Sequence, residues 1–169
     1  ITVLGCYGPY PPAGQCCSGY LLQEGKTAVL LDCGNGVLAR MRYFVEPWDL
    51  AAVVVSHLHS DHIGDLMIMR YAVMIRQQQE EGPPLTIYAP DEPADEYGRL
   101  SYKSYVQTKA ICENTKFTIG DMHFSFTKAV HPVPSYVTTV RVHGKKFVYS
   151  GDTEFFDQFS EAAADADLF

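Results

Sequence analysis

The first third of the chain alternates short apolar runs with turn-forming residues. Residues 2–6, 19–22 and 27–32 read as strands, and the last two face each other across a turn at Glu24-Gly25, which predicts a hairpin. Residues 51–55 form a continuous apolar run rich in β-branched side chains. Such a run is typical of a strand that is buried on both faces.

Helical spacing begins after this strand. The apolar positions Ile63, Leu66, Met67, Tyr71, Met74 and Ile75 recur with helical periodicity, and Gly82-Pro83-Pro84 ends the pattern. We also predict helices over residues 37–44 and 93–110, and a strand over 85–89.

The last third of the chain predicts two more hairpins. Their arms are residues 117–119 with 122–130, and 137–142 with 146–149, and their turns lie at Gly120-Asp121 and His143-Gly144. A helix is expected after Asp152, and residues 166–169 resemble the start of another strand. Because this order fits helices that cover two packed sheets better than a doubly wound parallel sheet, we predict an α/β sandwich.

Composition and charge narrow the class of protein. The 169 residues suffice for a single domain, and 47% hydrophobic against 20% charged residues predicts a folded, soluble chain. A formal charge of −7 disfavours sequence-independent nucleic-acid binding. No apolar stretch is long enough to cross a membrane. The odd number of five cysteines, without a Cys-x-x-Cys pair, favours reduced thiols and a cytoplasmic location.

Four potential metal ligands lie within six residues directly after the buried strand: His57, His59, Asp61 and His62. In extended chain, residues two apart share a face, so His57 and His59 can reach one metal together. Asp61 and His62 follow at the turn into the helix and can point back to the same pocket. Imidazole and carboxylate ligands suit zinc, and also iron or manganese.

This segment resembles the His-x-His-x-Asp-His motif of the metallo-β-lactamase superfamily. Three further segments resemble that family's pattern in the same order: Asp32-Cys33-Gly34, His131-Pro132 and Gly151-Asp152-Thr153. The motif, the His-Pro-Val-Pro loop and the short length are most similar to the tRNase Z-like phosphodiesterases, and within them to the YhfI-like hydrolases.

The resemblance implies an αββα sandwich and a set of roles. His57, His59 and His131 would bind a first metal, Asp61 and His62 a second, and Asp152 would bridge both. Asp32 would support the metal ligands without binding a metal itself. Asp61 would also take part in proton transfer. The family supplies one more histidine after the aspartate segment, and this sequence ends at Phe169 before such a residue, so we expect the C-terminal part of the fold to be missing.

Two divalent ions, most simply zinc, predict hydrolysis. Two metal ions about 3.5–4 Å apart can lower the pKa of a water that they share toward about 7, which provides hydroxide at neutral pH. The resemblance favours a phosphodiesterase acting on an RNA end, a cyclic nucleotide or another small phosphodiester, with a homodimer as an open possibility.

Three alternatives remain open at this stage. The same hydroxide suits carbonyl hydrolysis by a thioesterase, lactonase or β-lactamase. Redox chemistry on an iron pair is disfavoured because diiron relatives place a carboxylate where His59 stands. The last alternative is a fragment that binds metal incompletely and has no activity.

Overall fold

Two β-sheets pack face to face in the computed structural model, which describes residues 1–169. The first sheet has six strands in chain order: β1 (Thr2–Gly5), β2 (Gly19–Glu24), β3 (Thr27–Leu31), β4 (Ala52–Val54), β5 (Leu85–Ala89) and β6 (Val106–Ala110). The second has four strands in the order β10-β9-β8-β7, namely β7 (Lys116–Ile119), β8 (Met122–Lys128), β9 (Tyr136–Val142) and β10 (Lys145–Tyr149).

Strand direction explains where the helices lie. The pairs β3–β4, β4–β5 and β5–β6 are parallel, so each needs a crossover, whereas the second sheet is antiparallel throughout and needs only short turns. The crossovers and the C-terminal segment carry five α-helices: α1 (Val37–Met41), α2 (Ser60–Ile63), α3 (Leu66–Gln79), α4 (Ala94–Leu100) and α5 (Asp157–Ala163).

Three apolar clusters define four layers. The largest joins Leu30 and Val53 of the first sheet to Met69 and Val73 of α3. A second cluster fills the space between the sheets, and a third packs the outer face of the second sheet against residues of α5. Because successive strand residues point to opposite faces, neighbours such as Val53 and Val54 belong to different clusters. The predicted αββα sandwich is confirmed.

The predicted helix over 93–110 is wrong in its second half. Helix α4 ends at Leu100, and Val106–Ala110 is strand β6, which pairs in parallel with β5. Of the three tyrosines in this range, Tyr97 lies on α4, whereas Tyr102 and Tyr105 follow it. All three are partly buried against the largest cluster.

Other predicted elements are confirmed with small changes at their ends. The helix expected from Ile63 is divided into α2 and α3, and the first helix ends at Met41 instead of residue 44. The strand predicted over 51–55 is β4, which is buried on both faces, and Leu168 forms an isolated parallel bridge to Phe147 of β10. No helix in the structure is long and apolar enough to span a membrane.

Candidate metal centre

The predicted ligands meet at one end of the sandwich. Residues 56–62 follow β4 in the first sheet, whereas His131 follows β8 and Asp152 follows β10 in the second sheet. The backbone amide of Tyr136 donates to the carbonyl of Ser56 at 3.0 Å, which ties the ligand segment to the second sheet. The site therefore depends on both sheets being in place.

Three imidazoles form the first group. Nδ1 of His59 lies 3.2 Å from Nε2 of His57 and 3.0 Å from Nε2 of His131. These three nitrogens lie within 4.8 Å of one another, so one cation could contact all of them. His57 is fully buried, whereas His59 and His131 are half-buried and open to solvent on one side. This is the group that the resemblance implies for the first metal.

The second group contains His62 and Asp152. Nε2 of His62 lies 3.4 Å from Oδ1 of Asp152 and 3.7 Å from Oδ2 of Asp61. The other oxygen of Asp152 lies 3.9 Å from Nε2 of His57, so this carboxylate lies between the two groups, as expected for a bridging ligand. Asp61 approaches this group at His62, but it belongs to neither cluster whose donor atoms all lie within 4.8 Å of one another.

Asp32 lies behind the second group and is completely buried. Its Oδ1 accepts from the backbone amide of Ser56 at 2.7 Å. Its Oδ2 accepts from the Ser56 hydroxyl at 2.7 Å, from the Tyr149 hydroxyl at 2.6 Å and from Nδ1 of His62 at 2.6 Å. The carboxylate thus fixes the ring of His62 and joins β3, β4 and β10. That Asp32 supports a metal site remains a prediction.

The charges of the group follow from burial and pairing. Burial, together with the positive charge of His62, lowers the pKa of His57 to about 3. Burial also opposes protonation of His62, yet the Asp32 and Asp152 carboxylates outweigh it and raise the pKa of His62 to about 10. His62 in turn lowers the pKa of Asp152 to about 2. Without a cation, the positive charge in this pocket is therefore carried by His62.

The donors fit a divalent cation. Nε2 of His62 is buried and has no hydrogen-bond partner in the protein, which is costly unless another species binds there. Nδ1 of the same ring is held by Asp32, and a carboxylate on the far nitrogen is the usual support of a metal-ligating histidine. Imidazole and carboxylate donors without cysteine suit an open catalytic site.

Three supporting residues carry little signal in the sequence. Ser56 lies inside the motif segment but was not assigned a role, although its amide and hydroxyl both donate to Asp32. Tyr149 gave no signal because its contact with Asp32 spans 117 residues. Ser135 donates to the carbonyl of Asp152 at 2.9 Å and steadies the segment after β10.

The other two histidines of the chain lie outside the centre. His123 is exposed on β8 and contacts Thr118, and His143 is exposed in the turn before β10. Cys16 and Cys17 are buried thiols.

Comparisons of sequence and of structure with known proteins find the same relatives. The profile of the beta-lactamase superfamily domain matches residues 27–169. The probable metallo-hydrolase YhfI of Bacillus subtilis is 35% identical over 99% of this chain and 69% of its own length, and its crystal structure superposes with a TM-score of 0.94. A ribonuclease Z of Mycobacterium bovis is 29% identical over 99% of this chain and 67% of its own length.

Human tRNase Z, short form, shares the fold. Its structure superposes with a TM-score of 0.77 at 20% identity, over 99% of this chain and 75% of that chain. The chain spans 63% of an uncharacterized relative from Mycobacterium leprae, so several relatives continue well beyond the matched region.

Proposed function

Since this chain belongs to the metallo-β-lactamase superfamily, we propose that it is a metal-dependent hydrolase whose substrates are phosphodiesters. One observation carries the proposal: His57, His59 and His131 converge next to His62 and Asp152. The Asp152 carboxylate lies between the two groups, with one oxygen toward His57 and the other toward His62. Such an arrangement suits two cations held side by side.

The residues divide between the two ions. His57, His59 and His131 would hold the first ion, His62 and Asp61 the second, and Asp152 would contact both. Zinc suits these donors best, and manganese or iron(II) would also be accepted. When bound, a pair of divalent ions supplies an activated water and neutralises negative charge on substrate oxygens.

Asp61 would have a second task. Its carboxylate lies beside His62 of the second group, and its side chain remains 12% exposed. A carboxylate in that place can accept a proton at Oδ1, the oxygen not directed at the second site, and return it to a leaving oxygen. Asp32 is unsuited to this task, because it is fully buried and its oxygens already accept four hydrogen bonds.

The choice of phosphodiesters rests on the relatives. One is described as a ribonuclease Z, and human tRNase Z shares the fold. The acidic chain, with a formal charge of −7, favours a small phosphodiester or an RNA end over a long polynucleotide. A cation pair would provide the positive charge that the surface lacks.

A substrate panel with two variants tests the proposal. We expect zinc- or manganese-loaded protein to hydrolyse bis-p-nitrophenyl phosphate. His59→Ala should lose both an ion and turnover, and Asp61→Ala should lower kcat/KM by at least about 10²–10⁴-fold because a proton-transfer group is gone. His123→Ala, which changes an exposed histidine outside the centre, is the matched control and should behave like the wild type.

Two results would contradict the proposal. Substantial turnover by His59→Ala would argue against catalysis at this centre. A higher kcat/KM for an acyl thioester than for any phosphodiester would assign the protein to carbonyl hydrolysis instead.

A further inference from the structure

Gly8, in the exposed loop after β1, lies directly against the Asp61 carboxylate. A Cβ atom at residue 8 would be 2.8 Å from Oδ2 of Asp61, closer than real Cβ contacts allow. Apart from its chain neighbours, no other heavy atom would lie within 4 Å of that Cβ. The only contact that a side chain at residue 8 would disturb is therefore with Asp61.

The backbone of the loop does not itself require glycine at this place. Gly8 is absent from the glycines with a left-handed backbone conformation, unlike Gly14 or Gly36. An alanine could adopt its φ angle without strain. The need for a hydrogen atom in place of a side chain therefore comes from Asp61.

Asp61 has little freedom to move away from residue 8. A Cβ atom at Gly34 would overlap the carbonyl oxygen of Asp61, so the two backbones are in close contact. The amide of Cys33 donates to the carbonyl of His62 at 2.7 Å, and the amide of Asp65 donates to the carbonyl of Cys33 at 3.0 Å. The turn that carries Asp61 is thus fixed, and crowding at residue 8 would act on the carboxylate.

The oxygen that faces Gly8 is also the one that faces the metal centre. Oδ2 of Asp61 is the atom 3.7 Å from the unpartnered Nε2 of His62. We propose that Gly8 is a positioning residue, which leaves the room that Asp61 needs to direct Oδ2 toward the second metal site. This inference rests on the proposed function, since it takes Asp61 as a ligand of that site.

Gly8→Ala tests the proposal, with Gly98→Ala as the matched control. Gly98 is an exposed glycine on α4, and a Cβ atom there would meet nothing within 4 Å. We would measure bound zinc per chain after dialysis and the affinity of the weaker ion by competition with a chromophoric chelator. We expect Gly8→Ala to lower the affinity for that ion about 10–100-fold, which is the usual effect of altering a residue that supports a metal ligand. Gly98→Ala should bind both ions like the wild type, and the metal-free Gly8→Ala protein should keep the wild-type Tm.

Combination with Asp61→Ala separates positioning from a general effect on the loop. Once the carboxylate is absent, a Cβ at residue 8 has nothing to displace, so Gly8→Ala should have no further effect on zinc affinity in that background. An equal loss with and without Asp61 would overturn the proposal, as would wild-type affinity in Gly8→Ala when Asp61→Ala loses an ion. If Asp61→Ala itself binds both ions like the wild type, the ligand assignment under the proposed function fails instead.

Discussion

Tyr149 shows how much a single hydroxyl can contribute behind the metal centre. It donates to the buried Asp32 carboxylate, and hydrogen bonds to charged groups contribute about 1.5–3 kcal/mol. We expect Tyr149→Phe to lower the free energy of unfolding by that amount in urea titrations at neutral pH. Tyr20→Phe is the control, because the Tyr20 ring packs against Tyr149 at a tilt, with 4.9 Å between ring centroids, but its hydroxyl does not donate to Asp32. Equal losses in both variants would contradict this assignment.

His143 is a residue whose titration should report a contact between the sheets. The hydrogen bond from its ring to Glu24, with the charge of that carboxylate, raises the pKa of His143. The contact therefore stabilises the fold below the ordinary histidine pKa, and its contribution is lost as the pH rises through the raised value. NMR titration should give a higher midpoint in the wild type than in Glu24→Gln. Glu46→Gln, which removes a carboxylate paired with Arg42, should leave the midpoint unchanged.

The predictable part of the site is the part that is local in sequence. His57, His59 and His62 lie within one short segment, so their spacing alone indicated a cluster. His131 and Asp152 were placed only by resemblance, and the structure brings both beside the cluster. The contact of Gly8 with Asp61 could not be predicted, because it depends on how a distant loop packs and leaves no pattern in the chain.

Among the elements, β6 shows where prediction from sequence fails. Its residues, Val106 to Ala110, include Gln107 and Lys109, which have no strong strand preference, and only Val106 is buried. The strand exists because it pairs with β5 at the edge of the sheet. Edge strands gain their structure from long-range pairing, so local periodicity was misleading there.

The contact of α1 with β2 yields a prediction at the level of elements. A Cβ atom at Gly19, the first residue of β2, would lie 2.5 Å from both terminal carbons of Val37, which is completely buried. We expect Gly19→Ala to lower the free energy of unfolding by about 1–3 kcal/mol, because overpacked side chains must shift.

Gly98→Ala provides the opposite case on an exposed helix. It should stabilise α4 by up to about 1 kcal/mol, since alanine favours helices. Urea denaturation of Gly19→Ala and Gly98→Ala would measure the two free energies of unfolding. A change of the same sign in both variants would contradict these predictions.

For the whole molecule, the ligands come from both sheets, so a bound cation should link them. At free zinc about 100 times above Kd, binding stabilises the folded state by about 2.7 kcal/mol. For a chain of this size, that corresponds to a rise in Tm of roughly 5–10 °C. We expect EDTA to lower the Tm of zinc-loaded protein by that amount in scanning calorimetry. His59→Ala should respond less, and a wild-type Tm insensitive to EDTA would contradict the link.

The four hydrogen bonds to Asp32 also determine which nitrogen of His62 carries hydrogen. A carboxylate can only accept, so Nδ1 keeps its proton, and when a bound cation displaces the second proton of His62 it is Nε2 that presents a lone pair to the centre. An asparagine at residue 32 would keep its oxygen toward the Ser56 amide and turn its NH₂ toward Nδ1. The ring would then change tautomer and place its hydrogen on Nε2. One buried oxygen thus decides whether His62 is available as a ligand.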